Sequence, residues 1–278
     1  MKNKTQKLLS IGSDSKTIKG NKYHYSTAIL YLASAKQSGF NVCPSASNQC
    51  IEDCLFWSGR GRMKNTQNAR IKKTQHYFLD RKKFMHQLKH EIELFIKRSI
   101  KNNVNPCVRL NGTSDISFEI FKYKNGLNIF DNFPDLQFYD YTSEYKRMSK
   151  YMNNKLPKNY HLTFSSKEDN QKQVSSVLKN GFNVSVVFEK NLPLFYKGCS
   201  VINGDESDLR FLDDRLYDNH RKNIVDLKTL MSNRINSIRG CIVKPDNRLP
   251  KIIGLKYKKS KGNNITIGKN SFIIKQGK

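Results

Sequence analysis

A chain of 278 residues buries a substantial core without disulfides, so its six cysteines are not explained as the staples of a small secreted domain. Its formal charge of +27 would attract polyanions, although an AT-rich genome also produces many lysines without any selection for binding. No segment approaches the roughly 20 apolar residues of a membrane-spanning helix, and residues 1–16 lack the apolar core of a secretory signal. An intracellular protein with reduced thiols and no membrane partner is expected.

The first hundred residues contain four kinds of segment. Residues 1–20 are polar, basic and aperiodic, which predicts a flexible leader. Aromatic and β-branched residues over 23–33 predict a buried strand. The cysteine loop, residues 43–54, follows in irregular backbone. From 63 to 100, apolar residues recur at three- and four-residue intervals, which predicts one long helix or two joined near Asp80.

Beyond Pro106, predicted strands alternate with predicted helices. The strands are CVRLNG, LQFYDY, YHLTF and NVSVVFE, and the helices between them are TSDISFEIFKYKNG, TSEYKRMSKYMNN and SSKEDNQKQVSSVLKNG. Each helix opens with a Thr or Ser that could cap it. Because crossover helices join parallel neighbours, the alternation predicts an α/β fold with a parallel sheet. A less regular end follows, with a short helix near 224–235 and the strands GCIVKP and IIGLKY.

Polar residues follow several of these predicted strands. In a barrel of parallel strands they would converge at the carboxyl-terminal rim, where barrel enzymes keep their active sites. The alternative is that the Ser and Thr residues are only helix caps. The rim set comprises Asn111, Tyr141, Thr142, Ser165 and Glu189.

The three clustered cysteines, Cys43, Cys50 and Cys54, form a C-x6-C-x3-C pattern. An iron–sulfur cluster tolerates varied spacing and can leave one iron to another ligand. A structural zinc site commonly uses paired C-x2-C elements, a disulfide would leave one thiol over, and the cysteines could also bind no metal. Following cations and two glycines would stabilise a negatively charged cluster and let backbone amides approach sulfur, which favours the iron–sulfur interpretation.

The other cysteines, Cys107, Cys199 and Cys241, each open a predicted strand, and burial of a small apolar side chain explains that placement best. Cys107, the nearest in sequence, is the first candidate for a fourth ligand to a metal.

Two further groups of residues could hold a cation. Carboxylates in the segment GDESDLRFLDD could bind a divalent ion, or could pair with Arg210 and nearby lysines, which we favour. His86 and His90 lie four apart on the predicted long helix, a spacing compatible with zinc but usual for solvated side chains. The carboxylates of the segment are Asp205, Asp208 and Asp213.

Several segments together resemble a known family. They are CPSASNQCIEDCLFWSGRGR, VRLNGTSDISFE, LQFYDYTS, YHLTFSSKE and VINGDESDLRFLDD, in that order between about residues 41 and 260. In this order they resemble the gene-product-88-like family of bacteriophage proteins. The resemblance implies a protein that acts in the cytoplasm of the infected bacterial host.

The loop after the first strand also looks like that of the radical S-adenosylmethionine superfamily, although its C-x6-C-x3-C spacing is wider at both gaps. The likeness implies a partial (open) βα barrel over residues 21–260, with an irregular C-terminal extension and a basic tail at 261–278. It implies a 4Fe-4S cluster on the three cysteines, and S-adenosylmethionine on its open iron. The residues matching the cofactor-binding rim are Asn111, Asp115, Tyr141, Thr142 and Ser165.

The resulting functional hypothesis is a phage iron–sulfur protein, and an enzyme acting on a nucleotide or nucleic acid is one form of it. A host electron donor would then be a partner. The alternative hypothesis is a basic nucleic-acid-binding or nucleolytic protein with structural cysteines or zinc. A third is an electron-transfer or redox-sensing module, which shares the cluster but needs no substrate pocket.

Overall fold

The computed structural model describes residues 6–13, 15–213, 250–256 and 274. These residues fall into two compact units. The first unit contains the described residues up to His161, and the second contains those from Leu162 onward, a division that the sequence did not predict. No helix in these described ranges is long and apolar enough to cross a membrane.

The first unit is built on parallel strands. β2 pairs in parallel with β3, and β3 with β4, while β1 pairs antiparallel with β2. The second half of β2 is fully buried at Ala28, Ile29 and Leu30. Parallel pairing brings the carboxyl ends of β2, β3 and β4 to one edge, which we call the carboxyl edge. The strands are β1 (Leu9–Ile11), β2 (Tyr25–Leu30), β3 (Asn105–Arg109), β4 (Gln137–Thr142) and the first residues of β5 (Tyr160–Ser165).

Five α-helices accompany these strands in the described part of the first unit. The predicted pair of helices joined near Asp80 is confirmed, and the Asp80 carboxylate accepts a hydrogen bond from the Lys83 amide at 3.1 Å. Such a cap satisfies one of the amides that the first turn leaves unbonded. The helices are α1 (Ser15–Lys19), α2 (Asn48–Glu52), α3 (Lys64–Leu79), α4 (Arg81–Lys101) and α5 (Tyr145–Met152).

The prediction of a flexible leader is wrong for the residues of β1 and α1. Leu8 is fully buried, and Leu9 lies opposite Leu30 in the sheet. The backbone amides of Leu8 and Leu9 both donate hydrogen bonds to the Glu91 carboxylate on α4, each at 2.9 Å. A buried leucine pair and two charge-assisted hydrogen bonds therefore anchor this segment.

The predicted helix directly after β3 is also wrong. Residues 113–126 contain only a short 3-10 turn, Phe118–Ile120. The Asn111 side chain explains the difference, because its Oδ1 accepts hydrogen bonds from the Ile116 amide and the Ser114 hydroxyl, each at 2.8 Å. Such side-chain bonds compete with a helix for the backbone amides that would begin it.

The second unit contains a sheet in which β9 lies between β6 and β8. β9 pairs in parallel with both, and β5 pairs in parallel with β6, while β7 and β8 form an antiparallel hairpin. The predicted helix at 224–235, strand at 240–245 and most of the tail at 261–278 lie outside the described residues. The elements are β5, α6 (Gln171–Lys179), β6 (Val184–Phe188), β7 (Phe195–Tyr196), β8 (Cys199–Asn203) and β9 (Ile252–Lys256).

The predicted α/β class with a mostly parallel sheet is confirmed, and the sheet is open. The finer prediction of a partial barrel stays a prediction.

In the second unit, helix α6 begins later than predicted. Its first residue is Gln171, and Asn170 precedes it, where the sequence suggested capping by Ser165 or Ser166.

Candidate functional site: the cysteine loop and the buried network behind it

Backbone hydrogen bonds attach the cysteine loop to the carboxyl edge. The Val42 amide donates to the Ala35 carbonyl at 3.1 Å, and the Val42 carbonyl accepts from the Asp115 amide at 2.8 Å. Val42 is fully buried. Within the loop, the Ser47 hydroxyl caps the short helix α2 by accepting from the Cys50 amide at 3.2 Å. The start of the loop is therefore fixed against the segment that follows β3.

The three thiols lie within electrostatic range of one another. None of the three forms a disulfide, and all are half-buried. Burial is the main reason that the pKa of Cys43 is raised to about 12, and negative charge at Cys54, Asp115 and Cys50 adds to it against a backbone hydrogen bond to Ala35 that lowers it. Cys43 is therefore held as a thiol at neutral pH. A soft cation would compete with that proton, since thiolates are the species that bind metal.

Thiolate donors suit iron–sulfur clusters and zinc alike. Within the described ranges, however, no group of three or more His, Cys, Asp or Glu side chains is arranged to hold a metal ion. The three thiols are close enough to interact but do not form a ready coordination site. Binding would therefore require their side chains to converge.

The basic turn after the loop is held by hydrogen bonds to the protein backbone. The Arg60 guanidinium donates to the Ser13 carbonyl. A side chain at Gly61 would come within 2.2 Å of the Phe56 carbonyl oxygen, so the glycine is needed for close packing against that residue. The amide that approaches sulfur is that of Phe56, which donates to Cys54 Sγ at 3.4 Å. The two glycines of this turn were expected to bring backbone amides close to sulfur, and the amide seen beside Cys54 Sγ is that of Phe56 and not of Gly61.

The other cysteines lie in strands. Cys107 is fully buried in β3, with its sulfur 3.3 Å from the Thr27 hydroxyl and 3.5 Å from the Ser26 carbonyl oxygen. That position fits the core interpretation better than a fourth metal ligand. Cys199 begins β8 and is buried, as the core interpretation expects. Cys241 lies outside the described residues.

Two of the predicted cofactor-binding residues, Asn111 and Asp115, lie at the carboxyl edge with their side chains already bonded. Asn111 is 2% exposed and bonds to the turn it organises through Ser114 and Ile116. Asp115 is 7% exposed, and its Oδ2 accepts from the Ser143 amide at 2.9 Å. Both side chains hold the connection between β3 and β4 in place, and their binding of a cofactor stays a prediction.

The other three residues predicted to bind a cofactor, Thr142, Tyr141 and Ser165, are divided between the two units. Thr142 is buried at the end of β4, and its hydroxyl accepts from the Glu144 amide at 3.1 Å in the turn before α5, whose N-cap residue is Glu144. Tyr141 is half-buried, and the Arg109 guanidinium lies 4.7 Å from the centre of its ring. Ser165 ends β5 and belongs to the second unit.

Sequence reasoning missed a buried network centred on Arg147 of α5. Its guanidinium donates to Asp115 Oδ1 at 3.1 Å, to both oxygens of Glu119 at 3.1 Å, and to the Tyr160 hydroxyl. The Tyr160 hydroxyl in turn donates to Asp140 Oδ2 at 2.9 Å. Side chains from β4, α5, β5 and the turn after β3 are therefore joined by charge-assisted hydrogen bonds.

Asp140 is a titratable group of this network and is joined to it through the Tyr160 hydroxyl. Burial raises the pKa of Asp140 to about 6, against the lowering effects of Arg147 and Arg109 and of hydrogen bonds from Asn111 and Tyr160. Its Oδ1 accepts from the Asn111 amide at 2.7 Å. Asp140, Arg147 and Tyr160 at the centre of the network are buried, so these side chains support the carboxyl edge.

In the acidic segment of the second unit, one carboxylate pairs with a cation and another accepts from a backbone amide. Arg210 lies 3.6 Å from the Asp213 carboxylate, and both side chains are buried. The Lys251 ammonium donates to the Asp213 carbonyl at 3.2 Å, and the Lys256 amide donates to the Asp205 carboxylate at 3.0 Å. These contacts support the pairing interpretation over a divalent-cation site.

Comparison with known proteins identifies one family. A family model described as gene product 88 matches residues 3–244. No curated protein and no solved structure matches the chain. These comparisons give no support to the resemblance to the radical S-adenosylmethionine superfamily.

Proposed function

The chain belongs to the gene product 88 family, and from that premise we propose that it is an iron–sulfur protein of phage infection. Cys43, Cys50 and Cys54 would hold the cluster, of the 4Fe-4S type, in the host cytoplasm. The observation that supports this most is the electrostatic coupling of the three thiols in a loop attached to the carboxyl edge of a parallel sheet.

The number of thiols favours an iron–sulfur cluster over zinc. A structural zinc site uses four protein ligands, and Cys107 is bonded within the sheet. A cubane cluster with three cysteine ligands leaves one iron for another molecule. In the radical S-adenosylmethionine-like form of the proposal, an open βα barrel presents that iron to S-adenosylmethionine. A nucleotide or nucleic acid would then be the substrate and a host protein the electron donor.

The first experiment is anaerobic reconstitution with iron and sulfide, followed by iron and sulfide analysis and electron paramagnetic resonance of the reduced protein. We expect about four irons per chain, as a 4Fe-4S cluster requires, and their loss when Cys43, Cys50 and Cys54 are all changed to Ser. The matched control is Cys107→Ala, which removes a thiol from the core and should keep the iron. An absence of stoichiometric iron, or zinc bound in its place, would end the proposal.

The second experiment tests the enzymatic form. Adding S-adenosylmethionine to the reduced, reconstituted protein should change the resonance signal of the cluster, because the cofactor would ligate the open iron. An unchanged signal would leave a cluster-binding protein with an electron-transfer or redox-sensing role.

A further inference from the structure

Helix α4 presents to solvent, along its length, a strip in which three of six side chains are lysines. The opposite side of the helix is buried. Because a helix has 3.6 residues per turn, the residues three or four apart that lie away from this buried side form one exposed row. The buried side chains are Phe84, Met85, Leu88, Ile92 and Phe95. One row of exposed side chains, which we call the α4 strip, comprises Lys83, His86, His90, Leu94, Lys97 and Lys101, while Arg81, Lys82, Arg98 and Ile100 are exposed beside it.

The lysines of the α4 strip have no acidic partner. In the ranges that the structure describes, none of Lys83, Lys97 and Lys101 takes part in an ion pair. Of the two glutamates on the helix, Glu91 accepts from backbone amides of the N-terminal segment, and Glu93 lies 3.8 Å from His90. The strip therefore carries uncompensated positive charge, which attracts polyanions.

We propose that the α4 strip binds the phosphate backbone of double-stranded nucleic acid without reading its sequence. From Lys83 to Lys101 the strip extends ~27 Å, at ~1.5 Å per residue. One strand of a duplex carries a phosphate about every 3.4 Å along its axis, so a strip of this length lies alongside enough phosphates for its three lysines to contact one each. Each lysine that contacts a phosphate releases condensed counterions, which supplies the binding free energy.

The composition of the α4 strip selects a duplex over other polyanionic surfaces. Surfaces that bind single strands add aromatic side chains on which bases stack, and this strip contains no Phe, Tyr or Trp. Helices that bind membrane surfaces insert a broad apolar side, whereas Leu94 is the one aliphatic member of the strip. This binding site is separate from the cysteine loop and does not depend on a cluster there.

The test is fluorescence anisotropy of a labelled 20-base-pair duplex of arbitrary sequence, titrated with the full chain at several salt concentrations. The strip variant is Lys83→Gln, Lys97→Gln, Lys101→Gln, since Gln removes the charge and keeps a high helix propensity. The control variant makes the same change in charge at Lys150, Lys155 and Lys158, which are exposed in the same unit and outside α4. Circular dichroism verifies that both variants are folded.

We expect the strip variant to bind the duplex at least tenfold more weakly, and its slope of log affinity against log salt to fall by about 2 to 3, at ~0.9 per lost phosphate contact. The control variant should change affinity less than twofold. The proposal is overturned if both variants weaken equally or if neither does. It is also overturned if the unmodified chain prefers a single-stranded 20-mer or phosphatidylglycerol vesicles to the duplex.

Discussion

The first unit contains two groups of charged side chains that differ in burial and in pairing. Behind the cysteine loop, the Arg147 guanidinium is 1% exposed and bonded to two carboxylates and a tyrosine. On the α4 strip, three lysines are exposed and have no acidic partner. A buried charge is tolerated only with partners, so the network defines the shape of the carboxyl edge, whereas an exposed charge costs little and stays available to a ligand.

The strongest test of this contrast is Arg147→Met. The change leaves Asp115 and Glu119 buried without their cation, which we expect to lower the free energy of unfolding by about 3–5 kcal/mol. Urea unfolding followed by circular dichroism measures it. Lys150→Met on the same helix is the control, and because Lys150 is exposed its effect should be within about 0.5 kcal/mol. Equal effects at the two positions would remove the distinction between buried and exposed charge.

A second test concerns the pH dependence that Asp140 contributes. Because burial raises the pKa of Asp140 from 3.8 to about 6, the folded state holds the proton more tightly than the unfolded state. Its stabilising effect is complete below pH 3.8 and is lost as the pH rises through 6. The difference in unfolding free energy between the unmodified chain and Asp140→Asn should therefore shift by up to about 3 kcal/mol between pH 4 and pH 7, in favour of the variant at pH 7. A difference that is constant across this range would show that Asp140 does not titrate there.

Tyr160→Phe should have an intermediate effect. The change removes a hydroxyl that donates to Asp140 and accepts from Arg147, at a fully enclosed position. Leaving those two charged groups with one fewer partner should cost about 1–3 kcal/mol in unfolding free energy. Tyr151→Phe, at a half-buried tyrosine, is the comparison and should cost less. The reverse order would mean that the Tyr160 hydroxyl adds little to the network.

The smallest effect is expected on the α4 strip itself. Lys97→Gln should change the free energy of unfolding by no more than about 0.5 kcal/mol, because the lysine is exposed and unpaired. Thermal unfolding at low and high salt measures this. A loss above 1 kcal/mol would indicate a structural role for Lys97 and would weaken the contrast between the two regions.

Local sequence patterns predicted most of the strands and helices of the fold. Aromatic and β-branched residues identified β2, and alternation with helical segments identified β3 to β6. Apolar spacing of three and four identified α3 and α4, because these signals depend on neighbours in the sequence. The cysteine loop was identified for the same reason, since its three thiols lie within twelve residues.

Contacts between distant residues were the part that sequence could not supply. Arg147 meets its carboxylates across 28 and 32 positions of the chain, and nothing local marks Asp115 and Glu119 as its partners. A weak signal existed at Asp140, a charged residue between aromatic residues in a predicted strand. Asn111 overrode the helix signal after β3 through side-chain hydrogen bonds, which composition alone does not reveal.

The position of β9 has a consequence for synthesis of the chain on the ribosome. β1 to β4 are adjacent in the order in which they emerge, so the first unit can begin to fold early. β6 and β8 both pair with β9, Ile252–Lys256, which is synthesised after them. Until β9 has been synthesised, each of the two strands exposes an unpaired edge that can pair with another molecule. Premature termination before residue 252 should therefore yield aggregation-prone fragments in which the cysteine loop is already folded.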